Sequence, residues 1–420
     1  MAVVKPFIGI RPHPSVARLV AALPYDVYNR AEAKKEVEKE PLSFLCIDRP
    51  ETAFPDDVDA NADCVYEEAA RLLTERIETG CFIKEEKPCY YLYEMEMNGR
   101  SQTGIVAVSS IDDYLNHVIK KHENTREEKE LDRIRHVDMC NAQTGPIFLA
   151  YRGNQKLNDL VIKIKQASAF FHDESPLYDF MSTDEISHRV WVIDREEDIR
   201  AIEEIFREIK CTYIADGHHR AASAVKVSGK RREENPDYTG KEPFNYFLSV
   251  LFPAEQLMIM PYHRVVEDLN GQTKEEFLDK LKEKCQVIFL GKTPYQPEEK
   301  GSIGMYLEDG WYRLNFYQEF LNNDPIKGLD VSILQDQILA PLLGVGDPRT
   351  DQRIDFIGGI RGLSELEKRV HEDMKAAFSL YPTSMNELMM VADAGLLMPP
   401  KSTWFEPKLR SGLLIHSLND

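Results

Sequence analysis

Long hydrophobic runs are missing from this chain. Its most apolar extended stretch, "FNYFLSVLFPAEQLMIMPYHRVV", carries Pro, Glu, Gln, His and Arg well inside a membrane-spanning length. The opening residues, "MAVVKPFIGIRPHPSV", have neither the apolar core nor the small-residue cleavage site of a secretory signal. An excess of positive charge is also missing: 52 Lys and Arg stand against 71 Asp and Glu, for a formal net charge of −19. That acidity argues against nucleic acid and anionic membrane as partners, because both need a positive field. The 7 cysteines are odd in number and form no CxxC or CxxH pair, so a disulfide framework or structural zinc site is not expected. The expectation is a cytoplasmic protein with reduced thiols. Familiar catalytic signatures are absent as well: no GxxxxGK followed by Ser or Thr, no GxGxxG opening a helix, no HExxH and no GxSxG.

What is present is an ordinary globular composition, 43% hydrophobic and 29% charged over 420 residues, enough for two or three domains. "NADCVYEEAARLLTERIETG" places Val65, Ala69, Leu72, Leu73 and Ile77 on one helical stripe, with Asn61 as a cap and Gly80 after the last turn. "CYYLYEMEMNGRSQTGIVAVSS" alternates on both sides of Asn98-Gly99 and predicts a β-hairpin. A strand, an acidic-capped helix striped by Ile199, Ile202, Ile205, Phe206 and Ile209, a short strand and another helix are expected from residue 188 to about 224. Further on, a hairpin turning at Asp309-Gly310 and helices in "DVSILQDQILAPLLG" and "SELEKRVHEDMKAAFS" are expected. Strands and helices without strict alternation predict an α+β fold with mixed sheets. The texture changes near residue 266, dividing the chain into an N-terminal region, 1–265, and a C-terminal α+β region, 266–420.

The stretch "CTYIADGHHRAASAVKV" concentrates the chemistry. A short strand from Thr212 to Ala215 would end at Asp216-Gly217, and a helix would begin near His218. This arrangement aims backbone N–H groups at whatever sits above the turn, which is the physical basis of an anion site. Gly217 would allow close approach, and Arg220 with the imidazoles would add charge and donors. His218 and His219 are adjacent and diverge by about 100° on a helix, so they do not converge on a metal as an i, i+4 pair does. Three readings stand: a phosphate cradle, a helix end capped by Asp216 with packed histidines, and a first-shell metal site.

A second cluster, "KHENTREEKELDRIRH", holds His122, Glu123, Asn124, Arg126, Arg133 and Arg135. Glu123 beside His and Lys could serve as a general base, or the segment could simply be a solvated helix start. "LPYDVYNRAEA" reads as a turn with Asn29 or Asp26 near a helix start. The Pro-rich "MPPKSTWFEPKLRSG" gathers Lys401, Ser402, Thr403, Lys408 and Arg410 in a loop that either faces a ligand or straps the core through Trp404 and Phe405.

The segments "LPYDVYN", "KHENTREEKELDRIRH", "GPIFLAY", "IADGHHRAASA", "LDVSILQDQILAPLLG" and "LMPPKSTWFEPKLRSGLLIH", in that order, make the whole chain resemble the DUF1015 family of unknown function. The DGHHR segment is also similar to the phosphate-binding motif of the ParB/sulfiredoxin superfamily, and within it to the free L-serine kinases. The second resemblance implies a ParB/sulfiredoxin-like nucleotide-binding core with a mixed sheet, ADP or ATP as co-substrate, and Mg²⁺. It implies Glu123 as base on a substrate hydroxyl. Asp216 would orient that hydroxyl or hold Mg²⁺, and Gly217, His218, His219 and Arg220 would bind phosphate. His122, Lys401, Ser402 and Arg410 are candidate substrate-site residues. The implied activity is phosphoryl transfer between a nucleotide and a small hydroxylated or phosphorylated metabolite, serine-like, in either direction. A nucleotide-binding regulator and a metal-dependent phosphoester hydrolase are the alternatives. The two motifs stand about ninety residues apart, more than in the compact kinases.

Overall fold

The computed structural model describes residues 1–125, 127–170 and 175–419, which leaves Arg126 outside the described residues. The chain folds as two units. The first comprises Met1–Lys121, Thr125–Leu257 and Pro407–Asp420; the second comprises His122–Asn124 and Met258–Glu406. The fold is α+β with mixed sheets, as the sequence predicts. Among the described residues no helix is long and apolar enough to cross a membrane.

The first unit is built on a sheet of nine strands among the described residues. Eight run in the order Ile119–Lys120, Thr212–Asp216, Ile147–Tyr151, Tyr246–Pro253, Arg100–Ser110, Tyr90–Met97, Ser187–Ile193 and Tyr178–Met181, and Val4–Lys5 pairs with Arg100–Ser110. Its centre is a hairpin whose strands meet at Met97 and Arg100. Asn98 and Gly99 both take positive φ, 53° and 75°, the left-handed pair that a two-residue turn between twisted strands requires. The sheet is mixed because Ile147–Tyr151 runs parallel to Tyr246–Pro253 yet antiparallel to Thr212–Asp216. Helices Glu196–Glu208 and His218–Glu234 pack Ile202, Ile205, Phe206, Ala221 and Ala224 into the core with Leu149, Ile214 and Leu251. A smaller sheet orders Phe82–Lys84, Gly9–Pro12, Ile415–Ser417 and Ala142–Gln143, so residues from both ends of the chain complete this unit.

The second unit has a six-stranded antiparallel sheet in the order Cys285–Gly291, Gly310–Phe316, Ser302–Leu307, Ala376–Ser379, Tyr262–Val266 and Ile354–Gly358. Val265, Trp311, Ile357, Leu366 and Ala377 form its core.

Several local expectations shift. Helix Asp63–Glu78 is preceded by Ala62, which gives no side-chain cap, while Asn61 accepts a hydrogen bond from the Tyr66 hydroxyl at 3.2 Å. Residues 230–234, expected in a loop, extend helix His218–Glu234. Leu307 pairs with Gly310, so the second hairpin turns at Glu308-Asp309, one residue earlier than the Asp309-Gly310 signal. The helix Leu363–Glu372 stops short, and "AAFS" is a buried strand between two others, because two alanines pack where neighbouring strands leave little room. The segment 330–344 starts as helix Asp330–Leu334 and widens into a π-turn over Gln335–Leu339.

Candidate functional site

Strand Thr212–Asp216 buries Thr212, Tyr213, Ile214 and Ala215, and its register slips between Ile214 and Asp216. That irregularity ends the strand, and Gly217, at φ 89° and ψ 31°, turns the chain into the helix. Only glycine takes this conformation without a Cβ clash. The helix gains no side-chain cap from Gly217 and has no acidic residue in its first turn. Its positive end therefore carries no built-in anion from those positions.

Asp216 does not cap this helix through its first-turn amides. Its Oδ1 accepts from the Gly217 N–H at 2.7 Å, and its Oδ2 accepts from Lys408 Nζ at 2.8 Å. Burial alone would raise this carboxyl, but Lys408, Arg220 and the two hydrogen bonds hold it well below the usual carboxylate range. His218 is buried, and burial, His219 and Lys121 together bring its imidazole down to about 4 against the pull of Asp216, so it is neutral at pH 7. His219 is half-buried, as expected from the divergence of adjacent helical side chains. Arg220 folds back across the turn, its Nη1 donating to the Pro146 carbonyl at 2.8 Å. A Cβ on Gly217 would stand 3.3 Å from its Nε, and one on Gly145 would stand 3.1 Å from its Nη1. One turn later, Ser223 Oγ donates to the carbonyls of His219 (2.8 Å) and Glu130 (3.1 Å), tying this helix to helix Glu127–Cys140.

Other expected residues lie elsewhere. Arg410, also in the first unit, is buried and committed to Asp184 at 2.5 Å, with Nε 3.3 Å from His188 Nε2. Arg133 is buried against the Tyr25 ring at 4.1 Å and paired with Asp132, and Arg135 is paired with Asp63. His122, Glu123, Lys401 and Ser402 belong to the second unit. There the His122 carbonyl accepts from Met398 N–H at 2.7 Å, and its Nε2 lies 3.5 Å from Thr403 Oγ1. Ser402 Oγ donates to the Pro399 carbonyl at 2.7 Å. Lys401 takes a left-handed φ of 56° and sets its ammonium 5.6 Å from the Tyr262 ring centre. The same loop covers Arg264, which is buried with Nη2 on the Pro400 carbonyl at 3.2 Å and its guanidinium over Phe356. Burial brings Arg264 down to about 10, and among the described residues it has no carboxylate partner.

Sequence reasoning counted Lys408 only as one of several polar loop residues. Its partner lies 192 residues away, so no local spacing could have marked it.

The donor set bears on Mg²⁺. Both oxygens of Asp216 already face donors, one of them an ammonium, and a cation there would have to displace Lys408. The turn as built fits an anion and not a metal ion.

Among curated proteins none matches the sequence. Among solved structures, a free serine kinase variant in complex with ADP is similar over 74% of this chain and 92% of its own, at 14% identity and a TM-score of 0.35. A C-terminally truncated SbnI from Staphylococcus aureus is similar over 73% of this chain and 85% of its own, at 12% identity and a TM-score of 0.37. A conserved hypothetical protein from Pyrococcus furiosus gives 73%, 93%, 15% and 0.32 in the same terms. Likenesses this distant carry no argument about activity. The family model described as "Protein of unknown function (DUF1015)" matches residues 4–332, and the chain belongs to that family.

Proposed function

We propose that the turn Asp216–Arg220 binds phosphate and that the protein is a nucleotide-dependent phosphotransferase acting on the hydroxyl of a small, serine-like metabolite, with ADP or ATP as phosphate partner. The observation that carries the reading is a helix whose first turn has no side-chain cap and no acid, entered through a left-handed glycine, with Arg220 folded beside it. Amide N–H groups and a guanidinium fixed before the ligand arrives stabilise a phosphoryl group without reorganising during the reaction.

In this reading the amides of Gly217, His218 and His219, with Arg220, hold the phosphate oxygens. Lys408 neutralises Asp216, so that the carboxylate orients the acceptor hydroxyl without repelling the phosphate. Glu123 takes the hydroxyl proton, a role that rests on the resemblance of the His122-Glu123 pair to the kinase motif. Mg²⁺ has no role here, since the donor set at Asp216 is already engaged. The hydrolase alternative, which needs Asp216 as a metal ligand, is disfavoured on the same ground. A regulator that binds nucleotide without turnover would share the phosphate turn and lack the transfer step.

The test is a coupled assay of phosphoryl transfer between L-serine and ADP or ATP, run in both directions beside ADP calorimetry. Glu123→Gln should lower turnover by at least about 100-fold while ADP affinity stays within a factor of two, the size expected for loss of a general base. Arg220→Ala should weaken ADP by about tenfold or more, as for a lost charge-assisted contact. Tight ADP binding with no transfer in any arm would select the regulator instead. ADP affinity unchanged by Arg220→Ala would remove the phosphate turn.

A further inference from the structure

Next to the turn, the first unit contains a polar recess bounded by Tyr25, Asp48, Arg133, Thr144 and Arg220. It has about 400 Å³ of unfilled space, of which about 30 Å³ can be reached by the centre of a water molecule. At roughly 10–15 Å³ per water-sized group, this admits two or three such groups. The head of a small metabolite fits; an adenosine does not.

The charges facing this space are unusual. Asp48 is only 3% exposed, its Oδ1 accepts from Thr144 Oγ1 at 3.0 Å, and among the described residues it makes no ion pair. Arg220 makes none either; its one protein hydrogen bond is to the Pro146 carbonyl. Arg133, itself buried, is paired through Nε with Asp132 at 2.8 Å, and its two terminal nitrogens reach only the Asp48 carbonyl, at 3.4 Å. His136 adds no charge: its Nε2 sits 2.8 Å from the Ile47 carbonyl, and burial together with Arg133 holds its imidazole low. A buried carboxylate and a guanidinium thus face one recess without meeting each other. Buried charges persist where something pairs with them, and here the protein supplies no such partner for either. The complement to both at once is dipolar.

We infer that this recess binds the head of a small α-amino acid, with its carboxylate between Arg220 and Arg133 and its ammonium on Asp48. The inference rests on the phosphotransferase reading and deepens it, since Arg220 borders both the phosphate turn and the recess. Guanidinium is the side chain suited to a planar carboxylate, because its N–H groups match two oxygens at once. The recess leaves no space for a bulky side chain, which favours a hydroxymethyl group over larger ones. Gly145 forms part of the wall; any side chain there would press on Arg220.

The experiment is calorimetry on the full chain, with and without ADP, using four probes: L-serine, 3-hydroxypropionate (no ammonium), ethanolamine (no carboxylate) and inorganic phosphate. L-serine should bind at least tenfold more tightly than either truncated analogue. Asp48→Asn should weaken L-serine at least tenfold and leave 3-hydroxypropionate and ADP unchanged, so ADP affinity doubles as the check that the variant folds. Thr144→Val, which removes only the hydroxyl that orients Asp48, should act in the same direction with a smaller factor. If either analogue binds as tightly as L-serine, or if both variants bind L-serine like the parent, the inference is overturned. Phosphate occupying the recess, with L-serine unable to displace it, overturns it as well. ADP binding without L-serine binding sinks the recess and spares the phosphate turn. L-serine binding without ADP binding does the reverse.

Discussion

Two aspartates, one in each unit, stand at the start of a helix and have opposite fates. Asp216, half-buried, receives an ammonium and an amide and is held as an anion. Asp330, buried at the first residue of helix Asp330–Leu334, receives only the Gly301 N–H at 3.1 Å on Oδ1, while its Oδ2 is buried with no partner. Burial pushes Asp330 up to about 6 from an ordinary value of 3.8. Desolvation acts in the same direction on both, and the partner decides the outcome. A carboxylate equipped with a cation is built to stay charged; one left with a single amide costs the fold stability at neutral pH.

The pH consequences are opposite in sign. Asp216 has a lowered folded-state value, so its contribution is present above the unfolded value, about 3.9, and is lost as pH falls below it. Asp330 has a raised one, so its contribution is full below about 4 and is lost as pH rises towards about 6.

The comparison breaks first at Lys408. Lys408→Met leaves Asp216 without its ammonium and should cost about 2–3 kcal/mol at pH 7, between the values for exposed and buried pairs. The deficit should shrink as pH falls towards 4, where Asp216 can protonate; a deficit that stays constant in thermal melts from pH 7 to 4 would show that the pair contributes little. Asp330→Asn should do the reverse, raising stability by about 2 kcal/mol at pH 7.5 and by almost nothing at pH 4, the size set by the shift in its ionisation. Urea melts at the two pH values read this directly, and an equal change at both would refute it. The smallest effects belong to two left-handed glycines. Gly217→Ala and Gly99→Ala should each cost about 1–2 kcal/mol for the backbone. A Cβ at Gly99 meets nothing within 4 Å, whereas one at Gly217 presses on Arg220. Only Gly217→Ala should therefore weaken ADP binding, and equal affinity in the two variants would count against the turn as a phosphate site.

The strand–turn–helix at Asp216 was legible because all of its determinants are local: an apolar strand, one glycine, then an Ala-rich helix face. The hairpin at Asn98-Gly99 and the cap at Asn29, which forms a capping box with Glu32, were legible for the same reason. The recess was not. Tyr25, Asp48, Arg133, Thr144 and Arg220 come from five separate segments, and each alone reads as a turn, a helix end or a solvated face. Arg133 looked like one charge among many on an exposed helix, yet it is 6% exposed and stacked on Tyr25. Only tertiary packing distinguishes a buried guanidinium from a surface one.

Order of synthesis gives the Asp216–Lys408 pair a further meaning. The segment Pro407–Asp420 joins the first unit after the whole second-unit stretch Met258–Glu406 has been made, and its strand Ile415–Ser417 seats between Gly9–Pro12 and Ala142–Gln143. Asp216 leaves the ribosome 192 residues before its ammonium, an interval of roughly 10–40 s at ordinary elongation rates. Throughout that time the turn faces a bare carboxylate, which repels phosphate. A nascent chain therefore cannot hold the ligand firmly until its last segment docks, and competence at the turn reports that translation has been completed.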